Sequence, residues 1–363
     1  MSPADASPPA SPSAYSPGPR PYRVVQWATG AVGRSVIRAV LDRDDLELAG
    51  AWVHSPDKAG VDAAAIAGRA PVGVRATGDL DEILDLEADC VVYAPRPGLD
   101  RFAELEVVCA LLASGKNVIS LNGFVYPQAH GPQYVNELEQ ACKHGGTSVH
   151  GSGISGGFMA DLLPLVLTRL SSRIGHVYVR ECADFSRYPS WEMVHRMIGF
   201  GKTEEAYLRA LRPARTAMRG LYSESLHLVA AGLGVDLDEV DMDVEHRLAR
   251  TDLVTAAGPI PRGTVAAARW TFSGLAAGRP VITIEVVHKA DAARMPPEWG
   301  GPGYSLRVNG SPSVALAADE SWVSDPITAA AAHALNAVPA VCAADPGIRT
   351  GLDLPMISGR IRN

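Results

Sequence analysis

The chain has no run of lysines and arginines, no apolar stretch of bilayer length and no cysteine spacing that would hold zinc or a disulfide framework. Each absence removes a class of function. With 33 Lys and Arg scattered among 40 Asp and Glu, the net charge is -7, which argues against nucleic acid or an anionic membrane as a partner. The longest apolar segments have strand or helix length, short of the ~20 residues that a spanning helix needs. The five cysteines, Cys90, Cys109, Cys142, Cys182 and Cys342, are odd in number and lie mostly within apolar runs, as buried thiols of a reducing, cytoplasmic compartment do. No metal site and no internal repeat is expected. Met1 to Pro21 is rich in Pro, Ser and Ala and lacks both an apolar h-region and the repeated arginines of a transit peptide. Residues 1–21 therefore read as a disordered tail.

What the chain does contain is an apolar strand running into a glycine turn and a helix, Tyr22-Arg23-Val24-Val25-Gln26-Trp27-Ala28-Thr29-Gly30-Ala31-Val32-Gly33 followed by Ser35 to Leu41. With the second strand Leu46 to Val53 this makes a β-α-β unit of the dinucleotide-binding kind. Gly30 lets the backbone approach a pyrophosphate, Gly33 lets the helix pack on the strand, and the helix N-terminus offers free N–H groups to phosphate. Thr29, Gly30, Ala31, Val32 and Gly33 are the expected phosphate contacts, and Ala28 stands where the fingerprint has its first glycine. The second strand does not end in the Asp or Glu that would read a ribose 2′-hydroxyl. It ends in His54-Ser55-Pro56-Asp57-Lys58, where His54, Ser55 and Lys58 could accept a 2′-phosphate. NADP(H) is preferred on this ground, with NAD(H) possible.

At 363 residues a second domain is expected. Further strands at Asp89 to Ala94, Asn117 to Ser120 and Thr147 to His150 alternate with helices around Phe102 to Ala113 and Tyr134 to Lys143, which predicts a parallel Rossmann sheet over residues 22–157. Ligands sit beyond the carboxyl ends of such strands. That nominates Ala94, Pro95 and Arg96 (in the loop Ala94 to Gly98), Asn122 (in Leu121 to Phe124) and the loop Gly151 to Gly157. After Phe158 the rhythm changes. A strand at His176 to Cys182, helices around Glu192 and from Ala214 to Gly232, and a hairpin joined through Ser273 to Gly278 predict an α+β domain over residues 158–320 with an open, largely antiparallel sheet, a common dimer contact. Residues 321–363 supply a helix capped by Asp325-Pro326 that would pack back on the Rossmann domain.

The glycine turn, the Gly151 to Phe158 loop, the segment Glu181-Cys182-Ala183-Asp184-Phe185-Ser186-Arg187-Tyr188 and the stretch Asn336 to Thr350 together resemble the dihydrodipicolinate-reductase-like proteins related to 2,4-diaminopentanoate dehydrogenase and the native amine dehydrogenases. The resemblance implies a homodimer and NAD(P)H-dependent reduction of a C=N or C=O carbon. Two departures stand beside it. The paired-histidine and lysine signature of true dihydrodipicolinate reductases is missing, and the glutamate that handles ammonia in the amine dehydrogenases is replaced by Leu121-Asn122-Gly123-Phe124. Ser155-Gly156-Gly157-Phe158 stands where those enzymes read roughly Asn-Pro-Gly-Phe.

Hydride transfer needs a positioned electrophilic carbon and one acid. Tyr188, which matches a pocket tyrosine of the amine dehydrogenases, is the first choice of donor, with Asp184 and His195 beside it; each also fits a plain structural role. Asn122, Phe124, Ser155, Phe158 and Tyr188 are the expected walls of a small-molecule pocket. The expectation is an NAD(P)H-dependent oxidoreductase; the alternative is a dinucleotide-binding sensor or partner protein without catalysis.

Overall fold

The computed structural model describes residues 20–96, 101–323 and 325–359. Residues 1–19 of the expected tail, Pro97 and Gly98 of the loop after the fourth strand, and residues 360–363 of the C-terminal segment lie outside them.

The first half alternates β1 (Tyr22–Trp27), α1 (Ala31–Leu41), β2 (Leu46–Trp52), α2 (Ala63–Ile66), β3 (Ala76–Thr77), α3 (Leu80–Asp85), β4 (Cys90–Tyr93), α4 (Arg101–Ala113), β5 (Asn117–Ser120), α5 (Pro132–Gly145) and β6 (Ser148–Gly151). The strands are parallel and lie in the order β6-β5-β4-β1-β2-β3, so β1 and β4 flank the point where the winding reverses. Their apolar runs are continuous because both faces are covered, and alternate side chains divide between two cores. Val24, Cys90, Val92 and Ile119 pack with α1 on one face, while Val25, Val91, Tyr93 and Val118 pack with α4 and α5 on the other.

The second half contains α6 (Leu162–Thr168), β7 (Arg173–Asp184), a π-helical segment Glu192–Ile198, α7 (Glu204–Leu233), β8 (Glu239–Leu248), β9 (Leu253–Thr255), β10 (Gly258–Ile260), β11 (Val265–Ala276), β12 (Arg279–Lys289), β13 (Gly303–Ser311) and β14 (Val314–Asp319). Six strands form an open sheet in the order β14-β13-β7-β12-β11-β8, antiparallel except at β12 and β7. Val177, Val179, Ile282, Ile284 and Val286 face the core shared with Tyr222, Leu226 and Val229 of α7. The opposite face carries a polar network in which Tyr178 donates to Glu285 and Arg269 pairs with Glu245. The fold is therefore α/β, a Rossmann parallel sheet followed by an α+β unit with a largely antiparallel sheet.

Two boundaries differ from the sequence reading. α7 begins ten residues before Ala214 and runs through Pro213, whose exposed position leaves the missing N–H bond on the solvent side. The β11–β12 connection is only Ala277-Gly278, both left-handed at φ 50° and 68°, the geometry of a tight hairpin turn rather than a six-residue loop. The last helix, α8 (Pro326–Cys342), extends through Pro339; Asp325 caps it by accepting from the Thr328 N–H. Its Ala331, Ala334, Leu335, Val338 and Val341 join the α1 core of the first domain, and β15 (Gly347–Ile348) adds a strand beside β6. No helix among the described residues is long and apolar enough to cross a membrane. The five thiols are free.

Candidate functional site

The β1–α1 turn has the geometry its sequence only partly announces. Ala28 has φ 69°, so it adopts the left-handed conformation that glycine normally supplies at this point, at a cost of ~1–2 kcal/mol. Gln26, fully buried between Val25 and Trp27, holds the turn by donating from Nε2 to the carbonyls of Trp27 (2.7 Å) and Ala28 (2.8 Å). Gly33 is obligatory, because a Cβ there would sit 2.0 Å from the Ala28 carbonyl oxygen. Gly30 caps α1 without any side-chain hydrogen bond, no acidic residue stands in the first turn, and a Cβ built on Gly30 would meet nothing within 4 Å. An open, uncapped helix N-terminus at the end of β1 fits a dinucleotide pyrophosphate. Lys58 reaches over this turn, its Nζ 3.4 Å from Thr29 Oγ1 and 3.5 Å from the Thr29 carbonyl. His54 is exposed beside Trp52, and Ser55 opens the short helix that carries Lys58.

At the neighbouring strand ends, Ala94 and Pro95 are partly exposed, and Arg96 pairs with Glu192 of the π-helical segment at 3.4 Å, joining the two domains. Asn122 is buried, and its amide donates to Glu104 of α4 at 2.8 Å. Phe124, expected in the substrate pocket, is instead 1 % exposed: its left-handed backbone (φ 63°) turns the ring into the core against Tyr134. The residues after it are clamped from the second domain. Glu224 of α7 accepts from the N–H groups of Val125 (2.6 Å) and Tyr126 (3.2 Å) and is paired with His130 Nε2 at 2.7 Å.

The loop after β6 makes the densest junction. Ser152 Oγ and the Gly153 N–H meet His333 Nδ1 of α8, and Phe158 packs edge-on against the His333 ring. Asp161, fully buried, accepts from the N–H groups of Gly157 (2.8 Å) and Leu162 (2.7 Å) and from Ser225 Oγ (2.8 Å). Burial nonetheless pushes the Asp161 carboxyl up, the hydrogen bonds holding it back only in part. Ser155 donates to Glu181 of β7, and the phenol of Tyr304 of β13 lies close enough to the same carboxyl to favour its charged form. The Tyr222 phenol of α7 lies near Ser155, and Trp322 packs edge-on against the Tyr304 ring. Burial raises Glu181 as well, with Ser155 and Tyr304 opposing the rise, and both tyrosines are driven far above the usual phenol range, chiefly by burial.

Sequence reasoning named Ser155 but missed Glu181, Tyr222 and Tyr304. Glu181 had one readable signal, a carboxylate in the apolar register of an alternating strand, in line with Val177 and Val179; the tyrosines had none, since an aromatic in a helix or strand reads as core.

The three residues nominated for proton transfer do not form one hydrogen-bonded group. Asp184 caps the turn after β7 by accepting from the Ser186 N–H at 2.9 Å. Tyr188 is 37 % exposed and rests edge-on against Phe185, whose ring also meets those of Phe200 and His288. His195 sits in the π-helical segment under Trp191; its Nδ1–H donates to the Phe200 carbonyl at 3.0 Å, leaving Nε2 buried without a partner.

The family model for the 2,4-diaminopentanoate dehydrogenase C-terminal domain matches residues 158–363, and that for the dihydrodipicolinate reductase N-terminus matches residues 24–119. The chain is 28% identical over 348 residues to an amine dehydrogenase of Streptomyces virginiae, covering 92% of this chain and 96% of that one. It is 25% identical over 287 residues to the 2,4-diaminopentanoate dehydrogenase of Acetoanaerobium sticklandii, covering 77% of each. The amine dehydrogenase from Mycobacterium smegmatis shares the fold, with a TM-score of 0.78 at 22% identity over 93% of this chain and 97% of that one. With a Rossmann half that fits a dinucleotide and a second half matched end to end, the protein is a dehydrogenase that belongs to the 2,4-diaminopentanoate dehydrogenase C-terminal domain family.

Proposed function

We propose that the protein is an NAD(P)H-dependent oxidoreductase that reduces a C=N or C=O bond of a small substrate, forming or consuming an amine. The observation that carries this reading is the meeting of two unlike ends. The open, uncapped N-terminus of α1 lies at the same carboxyl edge of the parallel sheet as the Ser155 loop, which holds a carboxyl and two phenols of the second domain. A bound nicotinamide dinucleotide would supply or accept the hydride. Thr29 to Gly33 would hold its pyrophosphate, and the second-domain residues would orient the carbon and move the proton. Tyr188 and Phe158 are the proposed pocket contacts. The names of the relatives support an amine as one side of the reaction.

Two finer points belong to the same proposal. Lys58, poised over Thr29 where the second strand lacks an acidic residue, favours NADP(H). The polar face of the open sheet, uncovered by α7, is the proposed surface for a homodimer. The test is NADPH oxidation against a panel of short ketones, aldehydes and preformed imines, with and without ammonium. Turnover with at least one carbonyl in ammonium is expected. NADPH binding without oxidation of any of them would sink the enzyme reading, and a clear preference for NADH would sink the role given to Lys58.

A further inference from the structure

We propose that Glu181 is the carboxylate that receives the substrate's nitrogen as a cation and exchanges a proton with it. This rests on the amine reading above. Three carboxyls lie enclosed where the domains meet, and two are fully engaged in holding backbone: Asp161 by the N–H groups of Gly157 and Leu162, and Glu224 by those of Val125 and Tyr126 together with His130. Glu181 differs. Its hydrogen-bond partner is a hydroxyl, that of Ser155 from the loop after β6, with the phenol of Tyr304 from β13 beside the carboxyl and Tyr222 of α7 near Ser155; none of the three carries a positive charge. It shares the inner face of β7 with Val177 and Val179, opposite Val286 of β12, and His288 lies two residues further along β12 on that face.

An enclosed carboxylate without a cation is costly, and such groups beside a cleft mark functional sites. An alkylammonium would supply the missing charge and its own N–H donors. The loop Leu121 to Phe124 offers no carboxylate for this, and Glu104 nearby is engaged by Asn122. Glu181 as a residue is partly exposed although its carboxyl is enclosed.

In the oxidative direction one N–H proton of the ammonium passes to the Glu181 carboxylate, leaving a neutral amine. The adjacent C–H then leaves as hydride to the oxidised nicotinamide, and the carbon–nitrogen bond becomes a substrate iminium. Water adds, the C–N bond breaks to give a carbonyl and ammonium, and the Glu181 acid releases its proton to solvent. The groups facing this carboxyl from neighbouring elements are Tyr304 and Tyr222, both held protonated by burial.

The test uses the full chain with NADP(H), cyclohexylamine and sec-butylamine in one direction, and cyclohexanone and butan-2-one with ammonium chloride in the other. Glu181→Gln should melt at or above the wild type and keep its NADPH affinity, lose about a hundredfold or more in kcat/KM for the amines, and lose the acidic limb of the pH profile. Glu181→Asp should recover part of the rate. Tyr304→Phe, which leaves the carboxyl in place and serves if the Gln variant misfolds, should cost about tenfold and shift that limb. Wild-type kcat/KM and pH profile in Glu181→Gln would overturn the assignment while leaving the amine reading intact. A wild type that turns over neither amines nor ketones with ammonium would remove the amine reading and this inference with it.

Discussion

Glu224 and Glu181 are both carboxyls carried into the junction between the domains, and they are held in opposite ways. Glu224 meets two backbone N–H groups and His130, donors fixed by the chain. Glu181 meets the hydroxyls of Ser155 and Tyr304, which rotate and can donate or accept. A carboxylate satisfied by backbone amides is a fastener whose loss strands several donors at once. One satisfied by hydroxyls in an enclosed site stays free to change protonation state, and costs the fold something to keep. The difference in donors, more than the burial the two share, separates structure from chemistry here.

The largest effect that would break this comparison is on stability. Glu224→Ala should cost about 3–5 kcal/mol, because the Val125 and Tyr126 N–H groups and His130 lose their partner in a dry site. Chemical denaturation would measure it, and a loss below ~1 kcal/mol would show that the clamp is not a fastener. Asp161→Asn tests the same idea more gently. The amide keeps one acceptor oxygen but presents an NH2 to the Gly157 or Leu162 N–H, so a cost of about 1–3 kcal/mol is expected.

Glu181→Gln should go the other way. Burial raises this carboxyl in the folded state, so the folded chain holds the proton more tightly than the unfolded one. The stability that the group contributes is full below the ordinary glutamate range and is lost as pH rises through the raised folded value. The variant should therefore melt at or above wild type near neutral pH, by about 1 kcal/mol or ~2–4 °C, with the gap closing toward acid. A variant less stable than wild type at neutral pH would make Glu181 a fastener like Glu224.

The two carboxyls also mark how far the sequence could be read. The Rossmann half was legible because its strands announce themselves twice, as apolar runs and as the helices between them. Even there, β3 at Ala76–Thr77 and β15 at Gly347–Ile348 are too short to show a period and exist only by pairing with β2 and β6. The loops at the carboxyl edge were legible by topology, which is why Ser155, Asn122 and Arg96 were nominated. Their partners were not, since Glu181, Glu104 and Glu192 come from other elements and no local pattern says which carboxylate a loop will meet. Phe124 shows the converse failure. A residue in the right loop was expected to face the pocket, but a left-handed backbone angle turned it into the core.

The smallest effect returns to the glycine turn, where the fold accepts a local cost of the kind it accepts at Glu181. Ala28 occupies a left-handed position that disfavours a Cβ by ~1–2 kcal/mol, and Gln26 holds it there through two carbonyl bonds. Ala28→Gly would relieve that strain but loosen the unfolded chain by ~0.5–1 kcal/mol, leaving a net gain of about 0.5 kcal/mol. Gln26→Leu in the same turn should remove what fixes the Trp27 and Ala28 carbonyls, and NADPH affinity should fall without any change at a phosphate contact. If Ala28→Gly gained stability but lost NADPH affinity, the Cβ at position 28 would be part of how the turn is stiffened for its ligand. Unchanged affinity with the small gain would mean that Gln26 alone sets the turn.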